Sequence, residues 1–145
     1  MAIKVGFVGA GGRAQNHMRV LNGMEDVEIV AICDVNETTA QDVASEYGSK
    51  AYTDHHDMLD NEDLTAMYVV VPTFAHFDAE ILAAQKGIHL MLEKPVAPSM
   101  EKALEILEAT KKAGILTSVG YQLRYSGWAQ QGHQFLKDKT LAMVM

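Results

Sequence analysis

The chain has 145 residues and a formal net charge of −7, from 19 acidic against 12 strongly basic side chains. That length holds one domain with a sizeable core. An acidic balance without a basic stripe argues against nucleic acid or an anionic membrane as a partner. No apolar run is long enough to cross a bilayer, no secretory leader pattern opens the sequence, and Cys33 is the single cysteine, so a reducing cytoplasm is the expected compartment.

Residues 3–8 (IKVGFV) read as a buried strand, apolar on both faces as a central parallel strand should be. The turn that follows, GAGGRA, fits G-x-G-x-x-[GA] through Gly9, Gly11 and Ala14. Each small residue has a physical task. Gly9 permits a tight turn, Gly11 leaves room for a diphosphate against the backbone, and Ala14 lets a helix lie close on the strand. The helix carries Ala14, His17, Met18 and Leu21 on one face and stops at Gly23. Its first amides and its dipole would favour a phosphate. A glycine turn without a ligand is the plainer alternative.

The run VEIVAIC over residues 27–33 is the second predicted strand, and Cys33 in it is a small core residue. Asp34 ends it. It lies twenty positions after Ala14 (34 − 14), close to the roughly 20 expected for a ribose-binding acid. A carboxylate there accepts hydrogen bonds from both adenosine ribose hydroxyls and repels a 2′-phosphate, which favours NAD over NADP. The alternative for Asp34 is a turn residue leading into the next helix. Asn36 is a good N-cap for a helix bearing Ala40, Val43, Ala44 and Tyr47, stopped by Gly48. Residues 50–53 make a short third strand, and Asp54 can cap a short helix over residues 55–59. Adjacent His55 and His56 should diverge on that helix, so no metal site is expected.

Residues 66–71 (AMYVVV) form a strong fourth strand, ended by Pro72. Thr73 can cap a helix carrying Phe74, Phe77, Ile81 and Ala84, with His76 in its first turn and Gly87 at its end. A fifth strand at 88–92 leads into Glu93-Lys94-Pro95. Pro98-Ser99 opens a helix with Met100, Ala103, Leu104 and Leu107 inward, ended by Gly114. A sixth strand spans 115–119, a loop covers 120–125, and a last helix holds Trp128, Phe135 and Leu136. His17 and His133 are expected at the surface. Trp128 and the nine methionines are explained by core packing or a cut interface.

The predicted fold is α/β: a Rossmann-type, doubly wound, mainly parallel six-stranded sheet with order 3-2-1 and then a switch to strand 4. Ligands in such sheets bind outside the carboxyl ends of the strands. That rule brings forward residues 9–14, Asp34, 71–76, 93–95 and 120–124. A lysine at Lys94, near a bound nicotinamide, could contact a substrate hydroxyl or the nicotinamide ribose. Its position alone also allows an ordinary surface lysine. The cis form is open to the Lys94–Pro95 bond.

Taken together, GFVGAGGRA, the strand end at Asp34, VVVPTFAH, GIHLMLEKP, the helix start at Ser99 and GYQLRY resemble the N-terminal domain of the Gfo/Idh/MocA oxidoreductases over essentially the whole chain. The resemblance implies a two-domain NAD(P)-dependent dehydrogenase acting on sugars, inositols or related polyols, with NAD the expected cofactor. By position, Gly9, Gly11, Gly12, Arg13 and Ala14 would hold the pyrophosphate and Asp34 the ribose. Val71, Pro72, Thr73 and His76 would line the cofactor. Glu93, Lys94 and Pro95 would sit at the nicotinamide with Lys94 catalytic, and Tyr121 and Arg124 would be substrate-proximal. Thr73 stands where the family usually has asparagine, and Gly127 where a proline is common. The family's catalytic aspartate/histidine pair belongs to a substrate domain absent from this chain. The expected division is therefore residues 1–125 as the dinucleotide domain and 126–145 as a connecting helix plus the first strand, at 140–145, of a truncated second domain. The fragment alone is expected to be inactive, and a homo-oligomer is compatible with the pattern. A non-catalytic NAD-binding module, sensor or partner subunit, is the rival reading, and Lys94 favours the enzyme.

Overall fold

A computed structural model describes residues 2–76 and 78–137. The first strand, β1 (Ile3–Val8), runs down the middle of the sheet, with Val5 and Phe7 buried. It pairs in parallel with β2 (Val27–Cys33) on one side and β4 (Ala66–Val69) on the other. Beyond β2 lies β3 (Lys50–Tyr52). Beyond β4 lie β5 (His89–Leu92) and β6 (Thr117–Val119). The order β3-β2-β1-β4-β5-β6, parallel throughout, is the doubly wound sheet expected, with the direction of winding reversing between β1 and β4.

The helices are α1 (Gly12–Leu21), α2 (Glu37–Tyr47), α3 (His55–Asn61), α4 (Ala79–Gln85), α5 (Met100–Ala113) and α6 (Gly127–Lys137). Parallel strands need crossovers, so helices cover both faces and the core splits in two. One cluster joins Phe7, Ala14, Met18, Ile32 and Val43 beneath α1 and α2. The other joins Met58, Met67, Ala83, Leu92 and Ile106 beneath α3, α4 and α5. Local chemistry sets the helix limits: Asn36 accepts from the Thr39 amide at 3.0 Å, Asp54 from His56 at 2.7 Å and Ser99 from Lys102 at 3.2 Å. Gly48 and Gly114 close α2 and α5 in the left-handed conformation.

Several expectations need correction. The helix after β4 does not start at Thr73. Residues 73–75 form one 3-10 turn, and α4 begins only at Ala79. Phe74 is therefore left 79% exposed rather than packed, and Phe77 lies outside the described residues. On α5 the expected inward stripe is rotated: Met100, Leu104 and Leu107 are exposed, while Ile106 and Thr110, one turn apart, are buried. The sequence offers two apolar stripes on this helix, and periodicity cannot choose between them. Trp128 is 68% exposed, and α6 buries none of its residues. The apolar run at 140–145 falls outside the described residues. Among the described residues, no helix is long and apolar enough to cross a membrane.

Candidate nucleotide and substrate site

The carboxyl end of β1 delivers the chain into a turn whose shape is fixed by Gly9, at φ +95°. A Cβ there would lie 2.2 Å from the Val70 carbonyl oxygen, so only glycine lets β1 and the segment after β4 meet. Gly11 and Gly12 differ: a Cβ at either would have no atom within 4 Å, because both face open space. Gly11 is the N-cap of α1 and no side chain caps the helix. The first amides of α1 therefore have no intrahelical acceptor and open into the same space. Donors at a helix start, beside glycines that leave the space clear, suit a phosphate group.

Asp34 closes one side of this turn. One carboxylate oxygen accepts the Ala10 amide at 2.9 Å and the other accepts the Asn36 amide at 2.9 Å. The acid expected at the ribose thus points at the glycine turn. Next to it lies a cavity of about 400 Å³, lined by Gly9, Gly11, Asp34, Val35, Val71 and Phe74 among others. Val70 and Val71 continue past the end of β4 to form its wall, with Val70 still donating to Val8 at 2.8 Å. Pro72 and Ala75 also line it. Cys33 borders the cavity but is buried. Burial, aided by Asp54, Asp34 and Asp57, pushes its thiol up to about 12.

Glu93, at the end of β5, is 7% exposed in its side chain. Its Oε1 accepts from Arg13 Nε at 2.7 Å and pairs with His17 Nε2 at 2.9 Å. Oε2 accepts the Lys94 amide at 3.2 Å. Burial alone would raise this carboxyl, but the bonds from His17 and Arg13 outweigh it and hold it below the ordinary glutamate value. Gly120 lies directly behind, where a Cβ would come within 3.0 Å of the same carboxylate. One acid thus joins α1, the turn after β5 and the turn after β6. His17, expected at the surface, is instead largely enclosed, with its ring 5.6 Å from that of Tyr68. The signal was present in the sequence: Arg13 and His17 stand four apart, on one face of α1.

The Lys94–Pro95 peptide bond is cis. Lys94 is exposed and borders a second cavity of about 370 Å³, together with Gly120, Tyr121, Gln122, Leu123 and Arg124. Lys94, Tyr121 and Arg124, singled out separately in the sequence, therefore share one opening. His76 is elsewhere. It is buried between the 3-10 turn and α4, with Nδ1 2.5 Å from Glu80 Oε1. Glu80 is fully buried and its Oε2 has no partner among the described residues. The sequence carried a signal for this pair as well, since His76 and Glu80 stand four apart, although the structure places His76 ahead of α4. His55 and His56 do not diverge as expected. Both reach Asp78, at 2.7 and 3.3 Å, and with Asp54 they bring ligand-type atoms within 4.8 Å of one another.

The comparisons with known proteins agree with this geometry. The sequence model described as "Oxidoreductase family, NAD-binding Rossmann fold" matches residues 3–121. The chain is 29% identical over 98% of its length to the glucose-6-phosphate 3-dehydrogenase of Bacillus subtilis (strain 168), covering 40% of that protein. It is 31% identical over 90% of its length to the inositol 2-dehydrogenase of Salmonella paratyphi B, again covering 40%. Its structure superposes on the WlbA dehydrogenase of Bordetella pertussis, solved with NADH and UDP-GlcNAcA, with a TM-score of 0.88 at 27% identity. That match covers 95% of this chain and 42% of the other. The chain thus spans about 40% of the length of the relatives it matches. With a parallel sheet of this order, an open glycine turn and a match over residues 3–121, the chain belongs to the Gfo/Idh/MocA oxidoreductase family and constitutes its NAD-binding Rossmann fold.

Proposed function

We propose that this chain is the cofactor domain of an NAD-preferring dehydrogenase acting on a sugar, inositol or related polyol. The observation that carries the reading is the grouping, at the carboxyl edge of one sheet, of the open glycine turn, Asp34 and Lys94. The residues fit a dinucleotide. Gly11 and Gly12 leave the approach to the α1 amides clear, and those amides with Arg13 and Ala14 would hold the pyrophosphate. Asp34 would take the adenosine ribose, and the cavity beside it, walled by Val71, Pro72 and Phe74, would take the adenosine. His76 would act from behind that wall, its ring fixed by Glu80.

A bound nicotinamide supplies a hydride acceptor or donor. The work of this chain is to bind, orient and move a proton. Glu93 fixes the segment that carries Lys94 by accepting its amide and by tying it to α1. Pro95 sets the course of the backbone after it. Lys94 is the group we assign to the substrate hydroxyl, holding or taking its proton, with Tyr121 and Arg124 beside it. A lysine kept at this opening favours an enzyme over a binding module, which has no use for a proton carrier there.

Calorimetric titration of the 145-residue chain tests the reading. NAD should bind more tightly than NADP, and Asp34→Ala should weaken NAD while relaxing that preference. Failure to bind NAD would overturn the assignment. Relatives about two and a half times as long contribute more than this domain, so the chain should show no appreciable turnover of myo-inositol or glucose 6-phosphate with NAD. Robust turnover would overturn the proposal that it serves as the cofactor half of a larger catalytic unit.

A further inference from the structure

The chain is acidic overall, yet no aspartate or glutamate occurs anywhere in residues 109–137. That stretch supplies five of the six residues around the opening beside Lys94. Two of the six, Lys94 and Arg124, are cations, and none is an acid. The nearest acid in sequence, Glu93, is buried and already engaged by Arg13, His17 and the Lys94 amide. Lys94 and Arg124 form no ion pair among the described residues; Arg19, Lys111, Lys112 and Lys137 form none either, but of these cations only Lys94 and Arg124 line one cavity together. On a chain of net charge −7, two cations that line one cavity without an ion pair among the described residues mark a place that prefers an anion.

We infer that the substrate handled at this opening carries an oxyanion, a phosphate or a carboxylate, in addition to the hydroxyl carbon that reacts, and that Arg124 is the residue that selects it. The inference rests on the proposed dehydrogenase reading and narrows its substrate class. The physical division of labour follows from the side chains. A guanidinium presents a planar fork that matches a phosphate or carboxylate through two parallel hydrogen bonds. The Lys94 ammonium is a compact point charge that tolerates a hydroxyl as partner and supports the anion at longer range. Gln122 and the Tyr121 hydroxyl, on the same rim, suit the neutral hydroxyls of a polyol. Neutral sugars and free inositols would leave Arg124 without a matching partner.

The test uses the 145-residue chain with NAD present at saturation and, separately, with no cofactor. Amide NMR shifts of residues 120–124 are followed while glucose 6-phosphate, glucuronate, glucose and myo-inositol are titrated in turn. At least one of the two anionic ligands should bind at least tenfold more tightly than glucose or myo-inositol. Raising the salt concentration should weaken it. Arg124→Ala should remove that tenfold advantage, and Arg124→Lys should restore only part of it. The two anionic arms separate phosphate from carboxylate as the group selected. Equal affinity for charged and neutral ligands, an unchanged Arg124→Ala variant, or no binding of either anion would overturn the inference. Calorimetry with NAD alone reports the cofactor reading independently, so the two can fail separately.

Discussion

Gly9 and Gly11 stand two positions apart in one turn and answer to different constraints. Gly9 is held by the fold: its positive φ and the Val70 carbonyl oxygen, 2.2 Å from any Cβ, leave a side chain no place to go. Gly9→Ala should destabilise the domain by about 3 kcal/mol or more, read as a fall in the urea midpoint. Gly11 carries no such constraint from the fold: a Cβ there has no protein atom within 4 Å, and it is the proposed diphosphate that would need the space. Gly11→Val should leave the urea midpoint nearly unchanged and abolish NAD binding, and unchanged NAD affinity would contradict the placement. The fingerprint made both glycines legible in the sequence, but it could not separate these roles. The difference lies in Val70, a residue far along the chain that only the folded sheet brings near. Asp34 shows the same limit: its position could be read from the chain, while its partner, the Ala10 amide, depended on how a turn closes.

Among the elements, Glu93 ties α1 to the ends of β5 and β6, and its ionisation should be felt as stability. Its folded value lies below the ordinary 4.5, so the carboxylate contributes stability above that pH. The contribution is lost as pH falls through the depressed folded value. Glu93→Gln should cost about 1–3 kcal/mol at pH 6, since Arg13 and His17 then face a neutral amide oxygen in place of a carboxylate. The gap between wild type and variant in urea denaturation should narrow as pH falls below 4.5, and a gap independent of pH would refute the assignment. Capping residues and glycine stops made the limits of α2 and α5 readable from the chain alone, through Asn36, Ser99, Gly48 and Gly114. The face of α5 was not readable. Met100, Leu104 and Leu107 are as apolar as Ile106, and only packing in the fold, chiefly against α4, decides which side is covered.

Across the whole molecule, the sheet order and its winding could be read from alternating strand and helix patterns, since parallel strands need crossovers and the crossovers have one hand. The placement of α6 could not be read, because an amphipathic helix announces that it has an apolar face but not what meets it. Here that face carries Trp128, Phe135 and Leu136 and none of them is buried. The single tryptophan should therefore emit like an indole in water and be strongly quenched by acrylamide in the folded chain. A blue-shifted, protected emission would show that α6 packs in solution.

The reversal of winding between β1 and β4 has one more consequence. Gly9, Asp34, Val70, Val71, Pro72, Phe74 and Ala75 line one cavity, Lys94 and residues 120–124 line the other, and no residue lines both, so on the proposed reading the nucleotide end and the reacting end are separate. Exchange of the later segment between related genes would then alter what is oxidised while the grip on the coenzyme is inherited intact. Descendants of one such domain can diversify in chemistry without relearning how to hold their redox partner.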